Sequence, residues 1–306
     1  LEKFEEWQDH PTFIEDVMRF LDNVMTDFIN KAPDSMKRAK YSAMRERSVG
    51  LGVMGFHSFL QKKRIPFEGV MAKVWNRRMF QYIKRQADDA SIKLAEERGA
   101  CPDAADYGIK ERFTNKMAIA PTASISIICG GASPGIEPTA ANAYTHKTLS
   151  GSFPVKNKFL AELLEEKGQN TEDVWSSIYT NEGSVQHLDF LSDDEKDVFK
   201  TAFEIDQRWL IEHAADRTPY ICQAQSLNIF LPANVHKRDL HRIHWEAWKK
   251  GIKSLYYCRS KSIQRAESHA SWQRSLNAAP KEQLDLEAAA EPASQETQYE
   301  ECLSCQ

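Results

Sequence analysis

At 306 residues the chain can bury a substantial core, and its 42% hydrophobic and 27% charged residues are ordinary for a globular protein. A formal net charge of −4 excludes a general nucleic-acid binder, and no run approaches the roughly 20 apolar residues a membrane span needs. The acidic start, LEKFEEWQDHP, lacks a signal-type apolar core, and six cysteines in so long a chain do not make a disulfide scaffold, so a reducing cytoplasm is the expected setting.

In chain order, Leu1 opens an acidic helical stretch, as expected of a processed or partial chain. Thr12 and Glu15 have the spacing of a capping box, and Phe13, Val17, Phe20, Leu21, Val24 and Phe28 repeat at helical period behind them, which predicts a helix over 12–30. A second helix is predicted over 70–98 with Gly99 as its stop. Further helices are expected over 156–167 and 192–215, the latter opened by another capping-box pair, Ser192 and Glu195. Short strands are predicted at KMAIA (116–120), SLNIFL (226–231) and SLYYC (254–258). The helical stretch 235–251 between the last two makes a crossover unit, so those strands should be parallel neighbours with Tyr256 and Tyr257 near the C-terminal end of the second. From about residue 276 an Ala-, Glu-, Gln-, Ser- and Pro-rich stretch without apolar period predicts a flexible tail, which divides the chain into a domain over 1–275 and a tail over 276–306.

Several motifs invite chemistry. GLGVMG (50–55) matches G-x-G-x-x-G but follows a charged stretch rather than a buried strand, so its glycines are read as allowing close packing in a helix or its entry. In APTASISIICGGASPGIEP (120–138) a strand ends at Pro121 and small residues open a helix, where free backbone N–H groups can hold an anion. A Ser/Thr-rich turn explains the same residues equally well. Cys302 and Cys305 form a C-x-x-C pair on a tether of roughly 25 residues, with a reach of about 25–30 Å. The pair lacks a second cysteine or histidine pair for zinc, and a mobile redox dithiol competes with an unused pair. Cys101, Cys129, Cys222 and Cys258 are single and read as core cysteines, while His236, His241 and His244 read as a surface. No metal site is expected. Taken alone, Tyr256 and Tyr257 are read as packing residues, because successive strand residues point to opposite faces.

The ordered set RSVGLGVMGF (47–56), GACPD (99–103), APTASIS with SPGIEP (120–138), LYY (255–257) and CLSC (302–305) resembles the C-terminal part of the large subunit of class I ribonucleotide reductases, an aerobic form often found in bacteria and their phages. The resemblance spans essentially the whole chain. It implies an α/β fold, the C-terminal part of a ten-stranded barrel completed by another chain or by a missing N-terminal part, with a disordered tail behind it. It implies that Pro121, Thr122, Ala123, Ser124 and Ile125 bind the diphosphate of a ribonucleoside diphosphate. Ala123 stands where the family often carries Glu. Tyr256 and Tyr257 then match the stacked pair that relays a radical from a small subunit to an active-site cysteine, Tyr256 nearer that cysteine and Tyr257 nearer the small subunit. Cys302 and Cys305 match the shuttle that re-reduces the active site and is itself reduced by thioredoxin or glutaredoxin.

By the same resemblance the thiyl cysteine, its Asn and Glu neighbours and the buried reducing pair belong to an N-terminal part outside these residues. The expected partners are therefore that N-terminal part, a radical-generating, metal-containing small subunit and the dithiol reductant. No cofactor is expected on this chain, nor any nucleic-acid or membrane partner, and the cytoplasm would be the host's for a phage-encoded chain. The alternative is a non-catalytic fragment or regulatory subunit that binds an intact reductase or phosphate ligands. Such a chain would need neither the tyrosine pair nor the tail dithiol.

Overall fold

A computed structural model describes residues 1–148 and 151–260. Twelve α-helices are present among them: α1 (Phe4–Trp7), α2 (Phe13–Lys31), α3 (Lys37–Glu46), α4 (Phe56–Lys62), α5 (Val70–Arg98), α6 (Pro102–Asp106), α7 (Ala123–Ile128), α8 (Lys158–Glu166), α9 (Glu172–Thr180), α10 (Asp193–Val198), α11 (Gln207–Arg217) and α12 (Lys237–Lys249). An antiparallel hairpin, β1 (Ala143–Thr148) with β2 (Gly151–Lys156), stands apart from the parallel pair β3 (Ile229–Leu231) and β4 (Cys258–Ser260).

The backbone bonds extend that parallel pair into a wall. Val49 N donates to Asn115 O at 3.0 Å, and Ala118 N to Leu51 O at 3.1 Å. Gln223 N donates to Met117 O at 3.1 Å, and Ser226 N to Ile119 O at 2.9 Å. Both contacts run parallel, Leu51 beside Met117 and Ile119 beside Gln225. Four strand segments (49–51, 115–119, 223–231 and 256–260) therefore lie side by side in chain order. Helices fill every connection between them, which is how parallel neighbours must be joined. The sequence placed the last three strands and missed the first. Gly52 explains why 49–51 can pair at all: a Cβ there would sit 2.5 Å from Ala118 O, so only glycine lets the two backbones meet.

Helix α5 is the spine, packed against both α2 and α11, with α12 against α11. The main core gathers Met18, Phe56, Phe80, Ile83, Ile211 and Leu227, and a second core under α8, α9 and α10 is built on Leu160, Leu164, Trp175, Ile178 and Phe199. Helix α5 ends where expected, with Gly99 at φ +88°. Ser192 and Glu195 form a complete capping box on α10. The predicted helix over 192–215 is instead two, α10 and α11, and the second is capped independently by Asp206, whose side chain accepts from Arg208 N.

Helix α2 corrects two expectations. Thr12 makes no capping bond; its Oγ1 donates to Asp16 Oδ2 at 2.8 Å, and Glu15 pairs with Arg19 and Lys93. The predicted apolar face also largely faces out, with Phe20 64% exposed and Val24 52%, while Ile14, Met18 and Asp22 point into the core. A buried aspartate among apolar positions rotates the buried face away from the one that period alone suggests. Around it converge Arg47 Nε at 2.9 Å, Arg98 Nη1 at 2.7 Å and Arg112 Nε at 2.9 Å. Burial pushes the Asp22 carboxyl up, but the bonds from Arg112, Arg98 and Arg47 outweigh it and hold the group below the usual carboxylate range. The single cysteines also differ from expectation: Cys101 is buried, whereas Cys129, Cys222 and Cys258 are exposed.

Two histidines are sealed in the core against the ring of Phe67, His57 at 5.6 Å and His213 at 4.8 Å between ring centroids. His57 Nδ1 accepts from Thr139 N at 3.0 Å, and His213 Nε2 lies 2.8 Å from Phe67 O. Burial lowers their pKa values to about 3 and about 4. Unfolded imidazoles titrate near 6.5, so between that pH and the folded values the unfolded chain binds protons that the native state refuses. Stability is therefore present above the unfolded value and is lost as pH falls. From pH 7 to pH 5 each histidine should remove about 2 kcal/mol, less a part offset by Glu137, whose pKa burial raises. Urea midpoints at the two pH values test this, and His57→Gln should flatten the dependence by about half. An unchanged midpoint would contradict neutral, buried rings.

Candidate functional site

Strand 115–119 delivers the loop 120–125 at its C-terminal end, where α/β sheets carry their sites. Pro121 follows, then Thr122 in the left-handed region at φ +54°, and α7 starts at Ala123. Thr122 Oγ1 is held by Gly135 N at 2.8 Å. Gly135 itself has φ +51° and lies so close that a Cβ would be 3.3 Å from Ala120 O, so the SPGIEP segment presses directly on the loop. Ser133 and Ser58 exchange bonds, Ser133 N to Ser58 Oγ at 2.7 Å and Ser58 N to Ser133 Oγ at 3.1 Å, which ties the segment to α4. Ser126 Oγ donates back to Ala123 O at 2.9 Å and stiffens the first turn. The amides of Ala123, Ser124 and Ile125 open the helix, where backbone N–H groups have no helical acceptor. Beside them lies a cavity of about 320 Å³, lined by Ala123, Ser124, Ser58, Gln61, Asn142 and Lys158. The outer side of α7 is apolar and open, with Ile128 84% exposed and Ile125 54%.

The tyrosine pair sits at the far edge of the wall. Strand β4 begins at Cys258, so Tyr256 and Tyr257 precede the regular strand instead of closing it, contrary to the expected placement. Their backbone explains their orientation. Tyr256 N donates to Leu227 O at 2.8 Å, while Ile229 N donates to Tyr257 O at 2.9 Å. In a regular parallel ladder both bonds would belong to one residue; here two residues face the single Asn228, which is a β-bulge. The bulge suspends the alternation that would put the rings on opposite faces. The two rings meet, centroids 4.1 Å apart and planes at 54°, and both stay half open at 49% and 42% exposure. The Arg259 guanidinium lies 5.8 Å from the Tyr257 ring centroid.

A bulge leaves one N–H without a ladder partner. That N–H, on Tyr257, donates to the side-chain oxygen of Asn228 at 3.1 Å. Asn228 is in turn held twice by Glu137, through its N at 2.6 Å and its Nδ2 at 3.0 Å. Both residues are buried. Sequence reasoning overlooked this pair; the available signal was a lone acid in apolar GIEP and a lone amide in the apolar strand SLNIFL. Cys302 and Cys305 lie outside the described residues. Among those described, no cluster of three or more His, Cys, Asp or Glu side chains could hold a metal ion, and no helix is long and apolar enough to cross a membrane.

A wall of parallel strands with helical crossovers, a small-residue loop at a strand end and a bulged aromatic pair at the edge define part of an α/β domain with its candidate site at the strand ends. Comparison with known proteins gives that part its family. The family model described as the ribonucleotide reductase barrel domain matches residues 1–106 and 102–258, and the chain belongs to this family. It is 50% identical over 275 residues to the ribonucleoside-diphosphate reductase large subunit of Invertebrate iridescent virus 6, covering 89% of this chain and 28% of that protein. With the large chain of Cryptosporidium parvum it shares 33% identity, covering 97% of this chain and 43% of the relative. The solved alpha subunit of the Actinobacillus ureae class Id ribonucleotide reductase superposes with a TM-score of 0.80 at 41% identity, over 87% of this chain and 49% of that one. The chain therefore spans less than half the length of these relatives, and its four parallel segments are part of a barrel.

Proposed function

We propose that this chain supplies the C-terminal part of a ribonucleoside-diphosphate reductase, working with an N-terminal part of the large subunit and a radical-generating small subunit. The observation that carries this reading is the bulged, face-sharing pair Tyr256 and Tyr257, an arrangement that packing alone does not require. Each phenol can give up an electron and a proton together, so two phenols in ring contact can pass a radical between two sites without releasing an intermediate. Tyr257 faces the small subunit and Tyr256 the active-site cysteine in this assignment.

The loop Pro121–Ile125 takes the substrate diphosphate. Its support is the family resemblance together with the open amides of Ala123, Ser124 and Ile125, the rigid hold of Gly135 on Thr122, and the absence of an acidic side chain in the loop. Ala123 contributes only its backbone there. The chemistry follows the family: a thiyl radical on the N-terminal part removes the ribose 3′ hydrogen, the 2′ hydroxyl leaves as water, and a dithiol gives two electrons and becomes a disulfide before the hydrogen returns to C3′. Cys302 and Cys305 restore that dithiol by exchange and are themselves reduced by thioredoxin or glutaredoxin.

The experiment is conversion of a ribonucleoside diphosphate to its deoxy form by the native complex recovered on a tagged copy of this chain, supplied with thioredoxin. Product formation that is lost in a Cys302→Ser/Cys305→Ser variant but rescued by a small dithiol is the expected result. A complex that holds no small subunit and forms no deoxyribonucleotide sinks the proposal.

A further inference from the structure

The bulge at Tyr256 and Tyr257 is held from outside its own strand. Leu227 and Ile229 supply the two flanking ladder bonds, and the residue between them supplies the third with its side chain. An asparagine amide can present either its oxygen or its NH₂ group to a neighbour. Glu137 decides which. Its two carboxyl oxygens accept from Asn228 N and Nδ2, so the NH₂ group is turned toward the acid and Oδ1 must face Tyr257 N. Without the acid the amide is free to rotate, and NH₂ against N–H sets donor against donor in a buried place. Glu137 stands two residues beyond Gly135, which grips Thr122. One short segment thus braces both the loop and the tyrosine pair.

We propose that Glu137 and Asn228 are positioning residues for radical transfer: together they hold the bulge that keeps the Tyr256 and Tyr257 rings in contact. This inference rests on the radical-relay reading above, yet its geometric half can be tested separately. Neither residue reacts. Each acts by keeping two redox side chains at the separation the relay needs, and small misplacements of reacting groups cost about 10²-fold in rate.

The test places 3-fluorotyrosine at 256 and, separately, at 257 in the full chain within its complex. The ¹⁹F resonances are compared in the parent, Asn228→Ala and Glu137→Gln proteins, with Tyr107, which is 84% exposed, as the unstacked reference. Both substitutions should move the resonances toward that reference while circular dichroism stays unchanged. Turnover should fall about 10²-fold in kcat with KM within about twofold, because neither substitution removes the bond from Gly135 N that holds Thr122 in the substrate loop. Unchanged ¹⁹F positions in a folded variant overturn the proposal, as do moved rings with full kcat. If Asn228→Ala does not fold, Glu137→Gln, which keeps the side chain's shape and removes one acceptor, decides alone. Should Tyr257→Phe retain full activity, the radical-relay reading fails, and with it the positioning role, whereas the ¹⁹F result still reports whether the bulge is clamped.

Discussion

Tyr257→Phe is expected to reduce deoxyribonucleotide formation by about 10³-fold or more, on the order of 4 kcal/mol in the barrier, with KM and stability essentially unchanged. Phenylalanine fills the same volume and can keep the ring contact of 4.1 Å, so the fold has little reason to respond. What disappears is the O–H. A phenol loses its electron at a moderate potential because its proton can leave at the same time; a benzene ring has no such proton and is far harder to oxidise. A relay of two tyrosines then has a gap that ring contact cannot bridge. Tyr256→Phe should be equally damaging, since either hydroxyl is indispensable in a series. The decisive measurement is the rate of product formation at saturating substrate beside a urea unfolding curve of the same variant. A variant that turns over at the parental rate would remove the tyrosines from the mechanism and return them to packing.

The second large effect concerns the fold. Asp22→Ala should cost about 3–5 kcal/mol, a large share of the 5–15 kcal/mol that holds a typical domain together. The carboxylate is completely buried between α2 and α5, and it is the meeting point of Arg47, Arg98 and Arg112. Removing it leaves guanidinium groups facing one another in a poorly hydrated place, with the side chains of Arg47 and Arg112 largely shielded from water. Asp22→Asn keeps the shape and should still be strongly destabilising, because the charge is what the three cations need. Its acid behaviour gives an independent check. A carboxyl whose folded pKa is depressed contributes stability above its unfolded pKa and loses it as pH falls through the folded value. The parent should therefore lose more stability than Asp22→Asn as acid approaches that range. Equal urea midpoints for the parent and Asp22→Ala at pH 7 would show that the cluster contributes nothing net.

What could be read from the residues, and what could not, follows the range of the forces involved. Helical periodicity and glycine stops are local, so α5 and its end at Gly99 were legible, as was the capping box of α10. The strand–helix–strand order of residues 226–258 was enough to place β3 beside β4, because a short helical crossover leaves a parallel strand few other places to go. The loop at 120–125 was visible for the same reason, as a change from apolar strand to small polar residues at one point in the chain.

The rest depended on partners far away in sequence. Helix α2 carries two plausible faces, and which one is buried was settled by three arginines that arrive from other elements to meet Asp22. The strand at 49–51 is too short to announce itself, and it exists because Gly52 lets Ala118 approach. The ordered motifs, through their resemblance to the reductase family, already implied that this chain is part of a reductase barrel, as the family match bears out. Only the tertiary structure decided how Tyr256 and Tyr257 meet, as the resemblance implied that they do. Strand alternation predicts the opposite, and it is overruled by an extra residue in the ladder whose spare N–H is taken up by Asn228, itself fixed by an acid 91 positions away.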